Sequence, residues 1–315
     1  MDKNRKILIS IFAFLLISLL ISIIQIYFTM DRTKSANGLS MPDSRPGIGV
    51  IRLYGAITMS GEQSFLGGGP GGADALVAQL DDMMNDNQIH AIVLRIDSPG
   101  GTVAATQEIF HKLLKVRKKN KIIVASMGDI AASGGYYSAA GCDYIMANPG
   151  TITASIGVIA AAPNLKGLFE KLGIRMNVIK SGKYKDILSS SRDMTDEEKK
   201  LLQDMIDSSY EQFLKDVSLG RNIPIDDIRP VADGRVMTGS AALECKLIDG
   251  LGTFEDAIAK AKELAKLPDD SPVFENQKSP LSEIFGSIQG KIDRNPLEAA
   301  LKTQVMLPIE YRYQP

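Results

Sequence analysis

The chain has 315 residues, 44% of them hydrophobic, and a formal net charge of −1. That length supports a sizeable core in one extended α/β domain or two smaller ones, and the balanced charge offers no basic field to nucleic acid. Two cysteines, Cys142 and Cys245, are too few for a disulfide framework and read as buried thiols. The two histidines, His90 ahead of a strand and His111 in a charged helix, stand away from any small-residue turn. A Ser-His-Asp triad and a multi-histidine metal site are therefore poorly supplied, and no metal or cofactor is expected.

In chain order, residues 1–6 are a short polar start and residues 7–28 an almost unbroken apolar run, long enough to cross a hydrocarbon core as a helix. The bulky Tyr27-Phe28-Thr29-Met30 offers no small-residue cleavage pattern, which favours an uncleaved anchor over a signal peptide. Lys3, Arg5 and Lys6 before the span, against Arg32 and Lys34 after it, put the N-terminus in the cytoplasm and the globular part outside. Residues 29–46 read as a linker, rich in Ser, Gly, Asn and Pro from Ser35 to Pro46, and open a domain at 47–267. A strand is expected over Ile48–Ile57. The loop Gly67–Gly72 formally matches a dinucleotide fingerprint, but no strand enters it and Pro70 intrudes, so the match is chance.

A helix is expected over Ala73–Asn85 and a buried strand over Ala91–Ile96. The turn Asp97-Ser98-Pro99-Gly100-Gly101 then leads to a helix over Val103–Lys118. Next come a strand over Lys121–Met127, a compact bend through Gly128–Ala132, and a helix over Gly134–Ala140. Further strands are expected at Tyr144–Ala147, Ile156–Ala160 and Met176–Lys180, with a helix near Leu165–Leu172. Thr195-Asp196-Glu197-Glu198 forms a capping box for a helix reaching about Leu219, with an apolar stripe at Leu201, Met205, Tyr210 and Leu214. Short helices follow at Asp227–Ala232, Ser240–Cys245 and Thr253–Leu267. The tail, residues 268–315, carries an amphipathic segment at Leu281–Ile288 and an apolar–aromatic end, Met306–Pro315, that reads as an interaction tail. Alternating strands and helices predict an α/β fold with a mostly parallel sheet, where ligands gather at the carboxyl ends of strands.

Ser126–Val158 concentrates the candidate chemistry. Ser133 sits at a strand-to-helix turn crowded only by Ala and Gly, so its hydroxyl is expected to be exposed, with helical amide N–H groups beside it suited to an oxyanion. The alternative is a small-residue turn that packs a helix tightly on a sheet. The paired glycines Gly100-Gly101 repeat the strand–turn–helix arrangement and let a backbone amide approach a ligand closely. Tyr136 and Tyr137 read as packing residues, and Asp97 and Asp129 as turn-formers without catalytic roles. With histidine scarce, a base for Ser133 is not expected to be histidine; were it a lysine, Lys180, Lys183 and Lys185 stand equal on the residues alone.

Asp97–Gly101, Ala131–Tyr137 and Ser181–Lys185, together with Thr151–Val158 and Gly234–Gly239…Leu247–Asp249, resemble the signal peptide peptidase A family in its short, single-repeat bacterial form. The resemblance covers about Gly47 to Leu267. It implies a fold of repeated β-β-α units, like that of Clp protease and the crotonases, and a membrane-anchored serine endopeptidase with a Ser/Lys dyad. Ser133 is then the nucleophile, Lys185 the general base, Gly134 and Gly100 the oxyanion donors, and Ser155 the residue that orients the lysine. It further implies peptide substrates such as remnant signal peptides, a bacterial cell membrane location with the catalytic domain outside the cytoplasm, and a homo-oligomer whose sites draw on neighbouring subunits.

A lysine acts as a base only when neutral. That requires burial away from carboxylates, which Tyr184, Ile187 and Leu188 are expected to provide while Asp186 points elsewhere. Lys246 departs from the glycine or asparagine that relatives place after a short helix, and predicts a mildly strained left-handed turn. The competing expectations are a crotonase-type enzyme polarising an acyl-CoA thioester with Gly100 and Gly134, and a non-catalytic membrane scaffold.

Overall fold

The computed structural model describes residues 45–60, 72–275 and 310–312. The expected anchor at 7–28, the linker up to residue 44, the glycine loop at 67–71 and the amphipathic segment at 281–288 lie outside the described residues. Among the described residues no helix is long and apolar enough to cross a membrane.

The apolar runs fold as strands and the amphipathic stretches between them as helices. The first half contains β1 (Gly47–Tyr54), α1 (Gly72–Asn85), β2 (Ile89–Ser98), β3 (Gly100–Thr102), α2 (Val103–Lys118), β4 (Ile122–Ala132), α3 (Gly134–Ala140), β5 (Tyr144–Ala147), β6 (Ile152–Ala154) and α4 (Lys166–Lys171). The second half adds α5 (Asp196–Arg221), α6 (Ile225–Ile228) with a 3-10 turn at Arg229–Val231, β7 (Val236–Thr238), α7 (Gly239–Glu244), β8 (Gly250–Leu251), α8 (Phe254–Leu264), β9 (Val273–Glu275) and β10 (Glu310–Arg312).

Among the described residues eight strands form one sheet in the order β7-β6-β4-β2-β1-β9, with β5 and β8 branching from β4. The sheet is parallel apart from β6–β7, as the alternation of strands and helices predicts. One edge of β4 is shared: Val124–Met127 pair with β5, and Ile130–Ala132 pair with β6. The bend expected at Gly128–Ala132 is thus a continuation of the strand. A register shift against β2 between Ile96 and Ser98 absorbs the irregularity that the Gly-Asp pair introduces.

Period-two alternation divides the core between the two faces of the sheet. Ile48, Val50, Ala91, Val93, Val124 and Met146 face α8, meeting Ala257 and Ala261. The other face carries Ile51, Ile92, Leu94, Ile96, Ile123, Ala125 and Ile145. These pack with Leu76, Leu80, Ile109, Phe110, Leu113, Phe213 and Val217, contributed by α1, α2 and α5. α3 is buried along its whole length. This explains its Gly-Gly-Tyr-Tyr-Ser-Ala-Ala composition: small residues admit neighbouring backbones, and the tyrosines fill volume while satisfying their hydroxyls. Tyr136 donates to Leu247 O at 2.9 Å, and Tyr137 donates to the buried Asp216 carboxylate.

Several expectations are corrected. The strand expected at Ile156–Ala160 lies earlier, at Ile152–Ala154, because β4 supplies its ladder only as far as Ala132. Met176–Lys180 forms no strand: the segment is exposed throughout, and among the described residues no strand of the sheet pairs with it. The apolar stripe of α5 is buried only in its second half, since Leu201 and Met205 are exposed while Phe213, Leu214 and Val217 are buried. Cys142 is buried, but Cys245, at the C-cap of α7, is exposed. Lys246 does adopt the left-handed turn, with φ 61°.

The Phe213 ring stacks on Tyr137 at 4.5 Å and so ties α5 to α3. Phe213→Ala should lower unfolding stability by about 3–5 kcal/mol, read by denaturant titration, because the cavity lies in a fully enclosed site.

Candidate active site

The site is built where β4 runs out. After Ile96 the β2–β4 ladder is interrupted, and Ile130 N–H donates to Asp97 Oδ1 at 3.1 Å in place of a ladder carbonyl. This gives Asp97 the structural role its turn position predicts. One residue past the strand, Ser133 adopts φ 53°, ψ −115° and caps α3. A side-chain-bearing residue avoids this region, at a strain of about 1–3 kcal/mol. Two hydrogen bonds hold it there: Ser133 N–H donates to Ala154 O at 2.7 Å, and Tyr137 N–H donates to Ser133 O at 2.8 Å. Ala154 and Ser155 also have positive φ, 63° and 52°, and bring the end of β6 against the serine. The serine hydroxyl, expected to be exposed, belongs to a residue only 1% exposed in this chain. Small neighbours here mean close approach of surrounding backbone, not open space.

The two glycines expected to act with Ser133 do meet. A Cβ on Gly134 would lie 2.8 Å from Thr106 Oγ1 and 3.1 Å from both Gly100 Cα and Gly101 N, so only glycine lets α3 reach this turn. Gly100 has φ 102°, open to glycine alone at low strain. Its N–H donates to Ser98 Oγ at 3.1 Å, and Ser98 is fully buried. Sequence pattern does not single out Ser98; a serine two residues before the turning glycine is the available signal. Beyond Gly100, β3 offers an edge on which β10 lies antiparallel, pairing Arg312 with Gly100, Tyr311 with Gly101 and Glu310 with Thr102.

Ser155 is held by its backbone N–H to Arg235 O at 2.9 Å, and its hydroxyl donates to Gly234 O at 3.3 Å. It lines a cleft of about 560 Å³ together with Val158, Ile159, Ile206, Tyr210 and Asp233. Neither Ser133 nor Lys185 lines this cleft.

Lys185 lies in the turn that follows Ser181. It is exposed, and among the described residues no hydrogen bond joins its amine to Ser133 or Ser155. The expected apolar flank is only partly in place: Ile187 and Leu188 are half-buried, but Tyr184 is exposed. The rival lysines are engaged. Lys180 Nζ donates to Lys183 O at 2.9 Å and Asp186 Oδ1 at 2.5 Å, while Lys183 pairs with Glu197, which holds its ammonium above the ordinary lysine range.

Asp186 does point elsewhere. Arg192 grips its carboxylate through Nε at 2.9 Å and Nη2 at 2.8 Å, and its carbonyl oxygen at 3.1 Å. Arg192, then Lys180, hold this carboxyl well below the usual carboxylate range. The same guanidinium donates to Glu198 Oε2 at 2.8 Å and Oε1 at 2.6 Å. Glu198 completes the predicted capping box with Thr195, and Arg192 pulls its pKa down to about 2, with the Thr195 N–H adding to the effect. Among the described residues no cluster of His, Cys, Asp and Glu could hold a metal ion.

Comparison with known proteins agrees with this architecture. A family model described as peptidase family S49 matches residues 115–268, and one described as Clp protease matches residues 70–158. A protein of Synechocystis sp. provisionally described as a protease is 50% identical over 197 residues, covering 62% of this chain and 71% of that protein. A protein of Enterococcus faecium provisionally named signal peptide peptidase SppA is 36% identical over 219 residues, 70% of this chain and 64% of that protein. The chloroplastic serine protease SPPA of Arabidopsis thaliana is 35% identical over 231 residues, 73% of this chain but 34% of that protein. The chain belongs to peptidase family S49 and is a serine peptidase of that family.

Proposed function

We propose that the chain is a membrane-anchored endopeptidase that cleaves extended apolar peptides, cleaved signal peptides among them, through a Ser133/Lys185 dyad and an acyl-enzyme. The observation that carries this reading is the strained turn at Ser133, whose neighbour Gly134 packs against the Gly100 turn, where β3 offers an edge on which residues 310–312 already lie antiparallel. An edge that pairs with one extended segment can pair with a substrate in the same way, main-chain hydrogen bonds giving affinity and side-chain pockets specificity.

In the proposed reaction the Ser133 hydroxyl attacks the scissile carbonyl carbon as the neutral Lys185 amine takes its proton. The oxyanion is stabilised by Gly134 N–H and Gly100 N–H, each donor contributing about 3 kcal/mol. Gly100 N–H exchanges its Ser98 acceptor for the oxyanion, so the buried hydroxyl keeps the amide aimed until substrate arrives. Collapse of the tetrahedral intermediate expels the amine, which leaves with the proton from Lys185. A water deprotonated by the same lysine then hydrolyses the acyl-serine.

That no hydrogen bond joins Lys185 to Ser133 among the described residues is reconciled by a second copy. The segment before the lysine exposes Ile174, Met176, Val178 and Ile179 in a stretch without secondary structure. Covering it with a neighbouring chain would bury those side chains and desolvate the lysine beside that neighbour's serine. The anchor at 7–28 would then hold such an assembly at the outer face of the cell membrane, close to spent signal peptides.

With the full chain in detergent, Ser133→Ala and Lys185→Met should each reduce kcat/KM on an apolar reporter peptide by about a thousandfold or more. Wild-type turnover by either variant would rule out the dyad. Mixing the two dead variants should restore measurable turnover when a site draws on two copies; mixtures that stay dead would place both residues in one chain. Gly134→Ala should lower kcat about tenfold to a hundredfold with the fold intact by circular dichroism, since its methyl would displace the Gly100 turn.

A further inference from the structure

Lys185 is followed directly by Asp186, an awkward neighbour for a residue that must work as a neutral amine. A carboxylate within about 4–6 Å of an amine favours its charged form by roughly 1–3 pH units. The fold meets this conflict with a specific contact. The Asp186 carboxylate is turned to Arg192, which holds it through two guanidinium nitrogens and also takes the Asp186 carbonyl. Arg192 is anchored in turn by Glu198, in the first turn of α5, and by Asp193 O at 3.0 Å. Asp186 is largely enclosed, with 12% of its side chain exposed, whereas Lys185 on the same turn is exposed.

We infer that Arg192 is a positioning residue for the catalytic base: it clamps the Asp186 carboxylate to the start of α5 and so keeps a negative charge off the Lys185 amine. The inference rests on the Ser133/Lys185 reading and adds to it the group that makes the lysine's sequence neighbour tolerable. The remaining charges around the turn are accounted for. Lys180 supports Arg192 on Asp186 Oδ1, Lys183 is paired with Glu197, and Asp193 is paired with Lys166 at 2.7 Å. Asp186 is therefore the carboxylate that loss of Arg192 would release next to the base.

The clamp also fixes geometry. Thr195 and Glu198 form the reciprocal cap of a helix whose far half is locked into the core by Phe213, Leu214 and Val217. Through Arg192 the turn that carries Lys185 is tied to this rigid element by five hydrogen bonds, three to Asp186 and two to Glu198. Loss of Arg192 should therefore act on the protonation of the base in addition to any loosening of the turn. A pH profile separates the two effects.

The test measures kcat/KM against pH with the full chain in detergent. Activity that depends on a neutral lysine rises with pH, so a released Asp186 must move this acid limb upward. Arg192→Gln is expected to shift the limb up by about 1 pH unit or more, and Arg192→Gln combined with Asp186→Asn to return it to the wild-type position. Arg192→Lys, which keeps a cation for one of the two carboxylates, is expected to shift it less and covers the case in which Arg192→Gln does not fold. An unmoved limb in the folded Arg192 variants, or a shift that Asp186→Asn does not reverse, would overturn the clamp. Lys185→Met separates this from failure of the dyad: wild-type turnover in that variant removes the base itself, whereas a dead Lys185→Met with an unmoved limb in Arg192→Gln removes only the role of Arg192.

Discussion

The structure depends on one backbone constraint, the left-handed turn at Ser133. β4 shifts register against its partner β2 between Ile96 and Ser98 and changes neighbours from β5 to β6 along a single edge. It then reverses into α3 within one residue. That reversal demands positive φ from a residue that carries a hydroxyl, at a strain of about 1–3 kcal/mol. Burial of α3 offsets the strain. This helix buries two tyrosines completely, each comparable to a core aromatic at about 1.5–3 kcal/mol, and both hydroxyls find acceptors. The turn is stable because the helix it starts has nowhere else to go.

The same constraint arranges the neighbours. Because α3 begins immediately, Gly134 is pressed against the Gly100 turn, and a side chain on Gly134 would push the two apart. The β6 end is drawn in through Ala154 O, and this places Ser155 at the head of the cleft bounded by α5 and the turn before β7. Ser133–Gly134, Gly100 and Ser155 thus come from three stretches of chain but are consequences of one strand ending. Lys185 is outside this logic: its position is set by α5 and the Arg192 contact, not by the sheet.

That division matches what could be read from the amino acids. Apolar runs and capping boxes announced most strands and helices, since burial on both faces of a parallel sheet and reciprocal caps leave local signatures. α2 and β5 begin and end at the residues expected. Pattern alone failed where the outcome depends on a distant partner. Met176–Lys180 has strand composition but pairs with no strand among the described residues, and Gly128–Ala132 has turn composition yet is held in the sheet by β6 and Asp97. Exposure of Ser133 was misjudged for the same reason: small residues show that something approaches closely, but not what does. Ser98 and Arg192 were invisible because a hydroxyl and a guanidinium are common on surfaces, and their meaning lies in the groups they reach.

The arrangement also makes sense of the charge pattern around Lys185. The stretch from Lys180 to Glu198 is dense in both signs, and a dense charged loop is ordinarily a solvated one in which exposed pairs contribute little. Here each carboxylate of the stretch is paired with a cation: Asp186 has Arg192 and Lys180, Glu198 shares Arg192, Glu197 has Lys183, Asp193 has Lys166, and Asp196 has Lys199. Among the described residues Lys185 is the lysine of the turn that receives none of them. Such allocation has little value for stability at an exposed surface, but it has a clear consequence for reactivity. A free carboxylate nearby favours the charged form of an amine, so under the proposed Ser133/Lys185 reading this allocation keeps the neighbouring carboxylates engaged with other cations.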